Sequence, residues 1–200
     1  RAAAALKRGE PVAFPTETVY GLGANALDPL AVERIYLAKG RPACNPVILH
    51  VADVAAARRL AADWPDAAER IAARYWPGPL TLVLTRSALV PAIATAGLPA
   101  VGIRVPAHPV ALALLVAAGL PVAAPSANRS TELSPTSAEH VARALGDQVD
   151  VLLDGGDTTL GIESTVVDLT GARPLLLRPG LLTREELEQR QIRVVSDALR

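Results

Sequence analysis

Lysine is the rarest charge carrier in this chain: eighteen of the twenty basic residues are Arg, and Lys7 and Lys39 are the two exceptions. Lys39 stands two residues before Arg41 in Lys39-Gly-Arg-Pro-Ala-Cys-Asn-Pro46. A phosphate group needs such a set, because Arg offers a planar bidentate fork and Lys a compact point charge. A helix end nearby stabilises the same cations through its dipole, so the pair alone is not a site. Arg104 makes a second case. In Val101-Gly-Ile-Arg-Val105 an inward-facing charge between apolar neighbours asks for an anionic partner. Three further loops combine Gly, Pro and small polar residues, the composition expected where a ligand meets backbone. They are 15–25, 125–136 and 155–165, beside the 39–50 segment. Hydroxyls and amides in Pro125-Ser-Ala-Asn128 and Ser134-Pro-Thr136 suit phosphate oxygens or a base edge, and equally suit local turns.

Several chemistries find no support. Gly21, Gly23 and Ala26 match a dinucleotide fingerprint, but the following helix pattern starts too late, at Asp28-Pro29, so the segment reads as a Gly-rich turn between strand and helix. No Walker A pattern occurs. Cys44 and His50 lack a third orienting group at recognisable spacing, which leaves the cysteine inert. His50, His108 and His140 have no metal-ligand spacing, so a structural zinc site is rejected and no metal ligand is assigned.

The elements that must position these residues follow from pattern. Short buried strands are expected at 10–14 and 46–51, with a helix over 29–39 that Asp28 caps, Pro29 opens and Gly40 ends. Helices are expected at 53–62, 65–75, 107–118 and 137–145, and strands at 79–85, 100–105, 121–124, 150–153, 164–169 and 174–178. A last helix begins near Thr183, where Thr-Arg-Glu-Glu forms a capping box. Helices and strands alternate without regularity, which predicts an α/β fold with a twisted mixed sheet flanked by helices.

Composition bounds the rest. At 200 residues with 50% hydrophobic content, one domain over 1–200 is the expectation. Charge and Pro interrupt every apolar run before bilayer length, so no membrane span is expected. With no export signal recognised and a single cysteine, a cytoplasmic location is the simplest reading. The first residue is Arg and no Met occurs, so the numbering is expected to start inside the natural chain. Twenty acidic residues cancel the twenty basic ones, and aromatics are 3%, which weighs against a nucleic-acid-binding module.

Taken in order, Pro15-Thr-Glu-Thr-Val-Tyr-Gly-Leu-Gly23, Lys39-Gly-Arg-Pro42 with Asn45-Pro46, Trp76-Pro-Gly-Pro-Leu-Thr81, Pro125-Ser-Ala-Asn128, Ser134-Pro-Thr136, Ser164-Thr-Val-Val-Asp168 and Arg178-Pro-Gly180 span nearly the whole chain. In order and spacing they resemble the threonylcarbamoyl-AMP synthase (YrdC-like) family. The resemblance implies a concave sheet with a basic cavity in which ATP, L-threonine and bicarbonate meet, giving L-threonylcarbamoyl-AMP and pyrophosphate. It implies Thr18, His50, Arg104, Ser164 and the backbone at Ala124 around threonine. Around ATP it implies Lys39, Arg41, Asn45, Ser126, Asn128, Ser134 and Arg178, with Lys39 and Arg41 as the catalytic cations. Ala100 stands where the family often has Thr, so backbone contact to ATP is what remains there. Thr131 replaces a usual Gly. Mg²⁺ would accompany ATP, and downstream tRNA threonylcarbamoyl transferase proteins would be partners, with RNA binding as a further implied property. Some members carry a smaller C-terminal domain, absent here, so the chain is a single-domain member or a truncated piece. Two alternatives stand beside this reading: a domain forming carbamoyl-adenylate from carbamoyl phosphate, and a non-catalytic double-stranded-RNA binder.

Overall fold

The computed structural model describes residues 1–189 and 195–196. Most helices begin where the sequence supplies caps, although the first and the fourth start without a side-chain cap. The first, α1 (Ala2–Lys7), forms from the Ala-rich N-terminal stretch. In α2 (Pro29–Lys39) the Asp28 carboxylate accepts from Leu30 N at 3.0 Å, and Gly40 closes the helix at φ 58°, in the left-handed region. Asp53 caps α3 (Val54–Leu60), accepting from Ala56 N at 2.7 Å. Pro65 precedes α4 (Asp66–Tyr75), whose first turn carries Asp66 and Glu69. Pro109 opens α5 (Pro109–Ala118), Ser137 caps α6 (Ala138–Leu145), and Thr183 caps α7 (Arg184–Gln189) by accepting from Glu186 N.

Among the described residues ten strands make one sheet: β1 (Val12–Phe14), β2 (Gly21–Asn25), β3 (Ile48–His50), β4 (Leu80–Thr85), β5 (Ala100–Arg104), β6 (Val122–Ala123), β7 (Val151–Leu152), β8 (Thr165–Asp168), β9 (Leu175–Arg178) and β10 (Val195–Ser196). Their spatial order is β10-β9-β8-β4-β5-β3-β6-β2-β1-β7. Parallel pairs (β3 with β5, β4 with β8) and antiparallel pairs (β1 with β2, β4 with β5) occur in the same sheet, so it is mixed as expected.

One expectation is corrected. The segment expected as a Gly-rich turn is a strand, β2, antiparallel to β1 in the register Val12↔Gly23. Glycine serves close packing there: a Cβ on Gly23 would lie 2.7 Å from both Phe14 Cε1 and Val122 Cγ1.

Successive side chains point to opposite faces of a strand, and that alternation divides the interior. Leu22, Leu49, Leu82 and Ile103 join the larger core under α2, α3 and α4, while Val12, Phe14, Val122 and Ala124 pack with α1 and α5. In the middle strands the face turned away from the larger core carries polar groups instead. His50 lies directly across from Arg104 in the β3/β5 pair, and Gly102 lies across from Ile48.

Candidate active site

That polar face forms the floor of a cavity of about 130 Å³. Its lining brings together Thr18, Arg41, His50, Arg104, Ser126 and Ser164, with Arg178 and the backbone of Ala124 completing the wall. Five separate elements contribute. Segment 15–20 ends β1 and turns Thr16 and Thr18 inward, their hydroxyls 2.8 Å apart. Thr18 Oγ1 accepts from Arg104 Nη1 at 2.9 Å, and Gly78 O accepts from Arg104 Nε at 3.1 Å. The Trp76-Pro-Gly-Pro segment thus holds the guanidinium from below.

Arg104 already has an anionic partner within the chain, which the sequence reading did not anticipate. Glu17 Oε1 lies 2.7 Å from Arg104 Nη2, and side-chain exposures of 11% and 4% put the pair inside the protein. The approach is an ion pair without a well-aligned hydrogen bond, so both Glu17 oxygens and Arg104 Nη2 retain bonding capacity. Burial pulls the Arg104 guanidinium below its ordinary range, and Glu17 opposes that shift.

His50 is fully enclosed, edge-on to Phe14 with ring centroids 6.3 Å apart. Desolvation, reinforced by Arg104, lowers its pKa to about 3, so the ring is neutral at physiological pH. Its Nδ1 is buried without a hydrogen-bond partner. On the opposite wall Thr81 and Ser164 hydroxyls stand 2.8 Å apart, and Arg178 donates to Ser164 O at 3.0 Å and to Ser164 Oγ at 3.1 Å. Ala124 N donates to Ile48 O at 2.9 Å.

The residues expected around a nucleotide divide into groups. Arg41 lines the cavity mouth and is braced by its own loop, donating through Nε to Asn45 O at 3.1 Å and through Nη2 to Pro46 O at 2.8 Å. Asn45 itself is exposed. Lys39, the last residue of α2, is 2% exposed and does not line the cavity. Its ammonium donates to Ser126 O and Asn128 O, fastening the 125–128 loop to the helix end. Burial, then the charge of Arg41, lowers its pKa to about 8. Asn128 is buried and ties the loop to Arg129 O and Glu132 O through Nδ2. Ser134 faces an adjoining, more open recess lined also by Leu133, Thr136, Ile162 and Glu163, and donates to Glu163 Oε1 at 3.1 Å. Ala100 lies on the same face of β5 as Arg104 but four residues away, roughly 13 Å along the strand, and lines neither space.

Sequence reasoning missed Thr16, Glu17 and Glu163. Each adjoins a residue that was singled out, in Thr-Glu-Thr and in Glu-Ser-Thr, and adjacency was the signal that could have found them. Glu163 pairs with Arg178 and lines both the cavity and the recess. Segment 155–163 lies over the 15–20 segment, with Leu160 N and Gly161 N donating to Glu17 O and Thr18 O at 3.0 Å each. Among the described residues no group of three His, Cys, Asp or Glu side chains is placed to hold a metal ion. Of the carboxylates beside the cavity, Glu17 pairs with Arg104 and Glu163 with Arg178. Among the described residues no helix is long and apolar enough to cross a membrane.

A sequence-family model for Sua5, YciO and YrdC proteins, described as "Telomere recombination", matches residues 4–180. Threonylcarbamoyl-AMP synthase of Pyrococcus abyssi is 55% identical over 188 residues, covering 94% of this chain and 55% of that protein. The Bacillus subtilis protein of the same name is 53% identical over 190 residues, with coverage of 94% and 55%. The chain therefore spans about half the length of these curated relatives. The crystal structure of P. abyssi Sua5 complexed with L-threonine superposes with a TM-score of 0.94 at 54% identity, covering 97% of this chain and 58% of that one.

Proposed function

The chain belongs to the Sua5, YciO and YrdC family, and from that premise we propose that it is the catalytic domain of an L-threonylcarbamoyladenylate synthase. The observation that carries the reading is the buried cluster of Arg104, Thr18, His50 and Ser164 beside a mouth lined by Arg41 and Arg178. The first group suits a small amino acid: a carboxylate for Arg104, and hydrogen-bond donors for the neutral His50 Nδ1. The second suits phosphates.

In this reaction the amine of L-threonine combines with bicarbonate, losing water, to give an N-carboxylate. One oxygen of that carbamate attacks the α-phosphorus of ATP, the bond to the β-phosphate oxygen breaks, and pyrophosphate leaves. No side-chain nucleophile is required. The protein's task is to hold two anionic reactants in line and to place positive charge where the phosphoryl oxygens gain it. Arg41 and Arg178 face that position directly. Lys39 acts through the Ser126-Ala-Asn128 loop it fastens, which sets Ser126 at the wall. Asn45, Asn128 and Ser134 belong to the nucleotide side of the same reading, and Ala100 contributes at most through its backbone. Mg²⁺ would arrive on the ATP phosphates and screen their charge. The product is the activated group for threonylcarbamoyl-adenosine formation in tRNA, handed to transferase proteins in the cytoplasm.

A pyrophosphate-release assay that omits threonine, bicarbonate or ATP in turn tests this. Release is expected only with all three. Undiminished release without threonine, or with carbamoyl phosphate in its place, overturns it.

A further inference from the structure

The nucleotide side of the site carries one carboxylate whose position is at odds with an anion-binding role. Glu163 sits in the wall shared by the inner cavity and the outer recess. Its Oε2 pairs with Arg178 Nη1, and its Oε1 accepts from Ser134 Oγ at 3.1 Å. Both partners are groups that a polyphosphate would use. The carboxylate thus stands where a phosphate oxygen would stand, offering the same charge and the same acceptor geometry. The next residue, Ser164, belongs to the amino-acid side, and Arg178 touches it through two further hydrogen bonds. One guanidinium therefore bridges both subsites, and Glu163 determines how much of its charge is free.

We propose that Glu163 is a specificity-determining residue, an internal competitor that fills the phosphate seat on Arg178 and Ser134 until a polyphosphate displaces it. This rests on the reading that Arg178 and Ser134 face ATP. The physical consequence is selection by charge. An arriving anion gains only the difference between its own attraction to Arg178 and that of the carboxylate it displaces. A singly charged species such as bicarbonate, or the carboxylate of threonine, gains almost nothing by the exchange. A triphosphate, with several charges and many acceptor oxygens, gains by it. In a site that must admit one polyphosphate and two small anions, such a competitor keeps the small ones on their own side. The pair is only partly buried, with side-chain exposures of 36% and 38%, so water can solvate the carboxylate once it is displaced. Glu163 is the last residue of the 155–163 segment and β8 begins after it at Thr165, so its side chain can be displaced without breaking the strand pairing.

Calorimetric binding to the intact chain tests this with inorganic phosphate, AMP and a non-hydrolysable ATP analogue, each with and without Mg²⁺. Glu163→Gln keeps the size and the acceptor for Ser134 but removes the charge. It is expected to tighten phosphate and AMP about fivefold and the ATP analogue by less, narrowing the discrimination between them. Glu163→Asp, which draws the carboxylate back from Arg178, should move in the same direction if the Gln variant is poorly soluble. Unchanged or weaker binding by these variants, in either metal condition, overturns the proposal. Arg178→Ala separates the two levels. If it weakens the ATP analogue while Glu163→Gln fails to tighten phosphate, this inference alone falls. If it leaves the analogue untouched, the assignment of Arg178 to ATP falls and takes the inference with it.

Discussion

Lys39 and His50 are both titratable groups drawn out of water, and they answer to opposite ends of the pH scale. Lys39 titrates near pH 8 in the folded chain against 10.5 ordinarily. Between those values the unfolded chain binds more protons, so stability rises with pH across that window. Activity should move the other way, because loss of the proton above pH 8 removes positive charge beside Arg41. We expect an alkaline limb in kcat/KM near pH 8. Lys39→Arg should abolish that limb and cost at least about tenfold, roughly 1.4 kcal/mol, since a planar guanidinium does not fit the ammonium's contacts to two carbonyls. Lys7→Arg, on the surface of α1, is the control. A Lys39→Arg enzyme at the unmutated rate would withdraw the role. His50, with a folded pKa of about 3, stays neutral from pH 8 to 5, and its ring signals in NMR should not titrate there. Below pH 6.5 the unfolded chain takes up the proton first, so stability falls as pH drops towards 3. Arg104→Ala leaves Glu17 buried without its counter-ion and, in the proposed reaction, removes the partner of the threonine carboxylate. The expected loss is on the order of 2–5 kcal/mol in threonine use, with ATP binding little changed. Equal damage to both would make Arg104 a purely structural residue.

Among the elements, β8 and β9 hold the wall that carries Glu163, Ser164 and Arg178, and a glycine sets their spacing. A Cβ on Gly180 would lie 2.5 Å from Thr165 N and 2.6 Å from Glu163 O, both backbone atoms that cannot turn aside. Gly180→Ala should therefore destabilise by about 1–3 kcal/mol in denaturant unfolding and loosen the Arg178 contacts as well. Gly171→Ala, in the loop between the same strands, meets nothing nearer than 3.8 Å and should change stability little. Equal midpoints for the two variants would show that the wall yields more readily than its packing suggests. The same sensitivity to packing explains why β2 was not legible. Gly21 and Gly23 read as a turn because no side chain announces a strand, yet their lack of one lets β2 lie against Phe14 and Val122.

For the molecule as a whole, the proposed amino-acid side of the cavity joins segments more than a hundred residues apart, from Thr18 to Ser164. Ligand binding should consequently stabilise the entire fold. At about one hundred times its dissociation constant, L-threonine should add roughly 2.7 kcal/mol, a rise of about 5–10 °C in Tm for a domain of this size. Thermal melts with and without threonine check this, and Arg104→Ala should lose the shift. A shift that survives in Arg104→Ala would mean that threonine binds elsewhere.

Sequence alone determined what is local. Asp28, Pro29 and Gly40 set the limits of α2, Thr183 starts α7, and alternation along β3 to β5 turns His50 and Arg104 away from the larger core, because caps and periodicity act within a few residues. Motif order likewise singled out about half of the residues that line the cavity, while Lys39, Asn45, Asn128 and Ser134 lie outside it. The tertiary structure decided which charges neutralise one another. Neither the Glu17–Arg104 pair nor the Glu163–Arg178 pair follows from spacing, and the carbonyls that hold Lys39 lie 87 and 89 positions away. Coulomb forces and desolvation depend on distance through space and on the exclusion of water, which exist only once the sheet has closed.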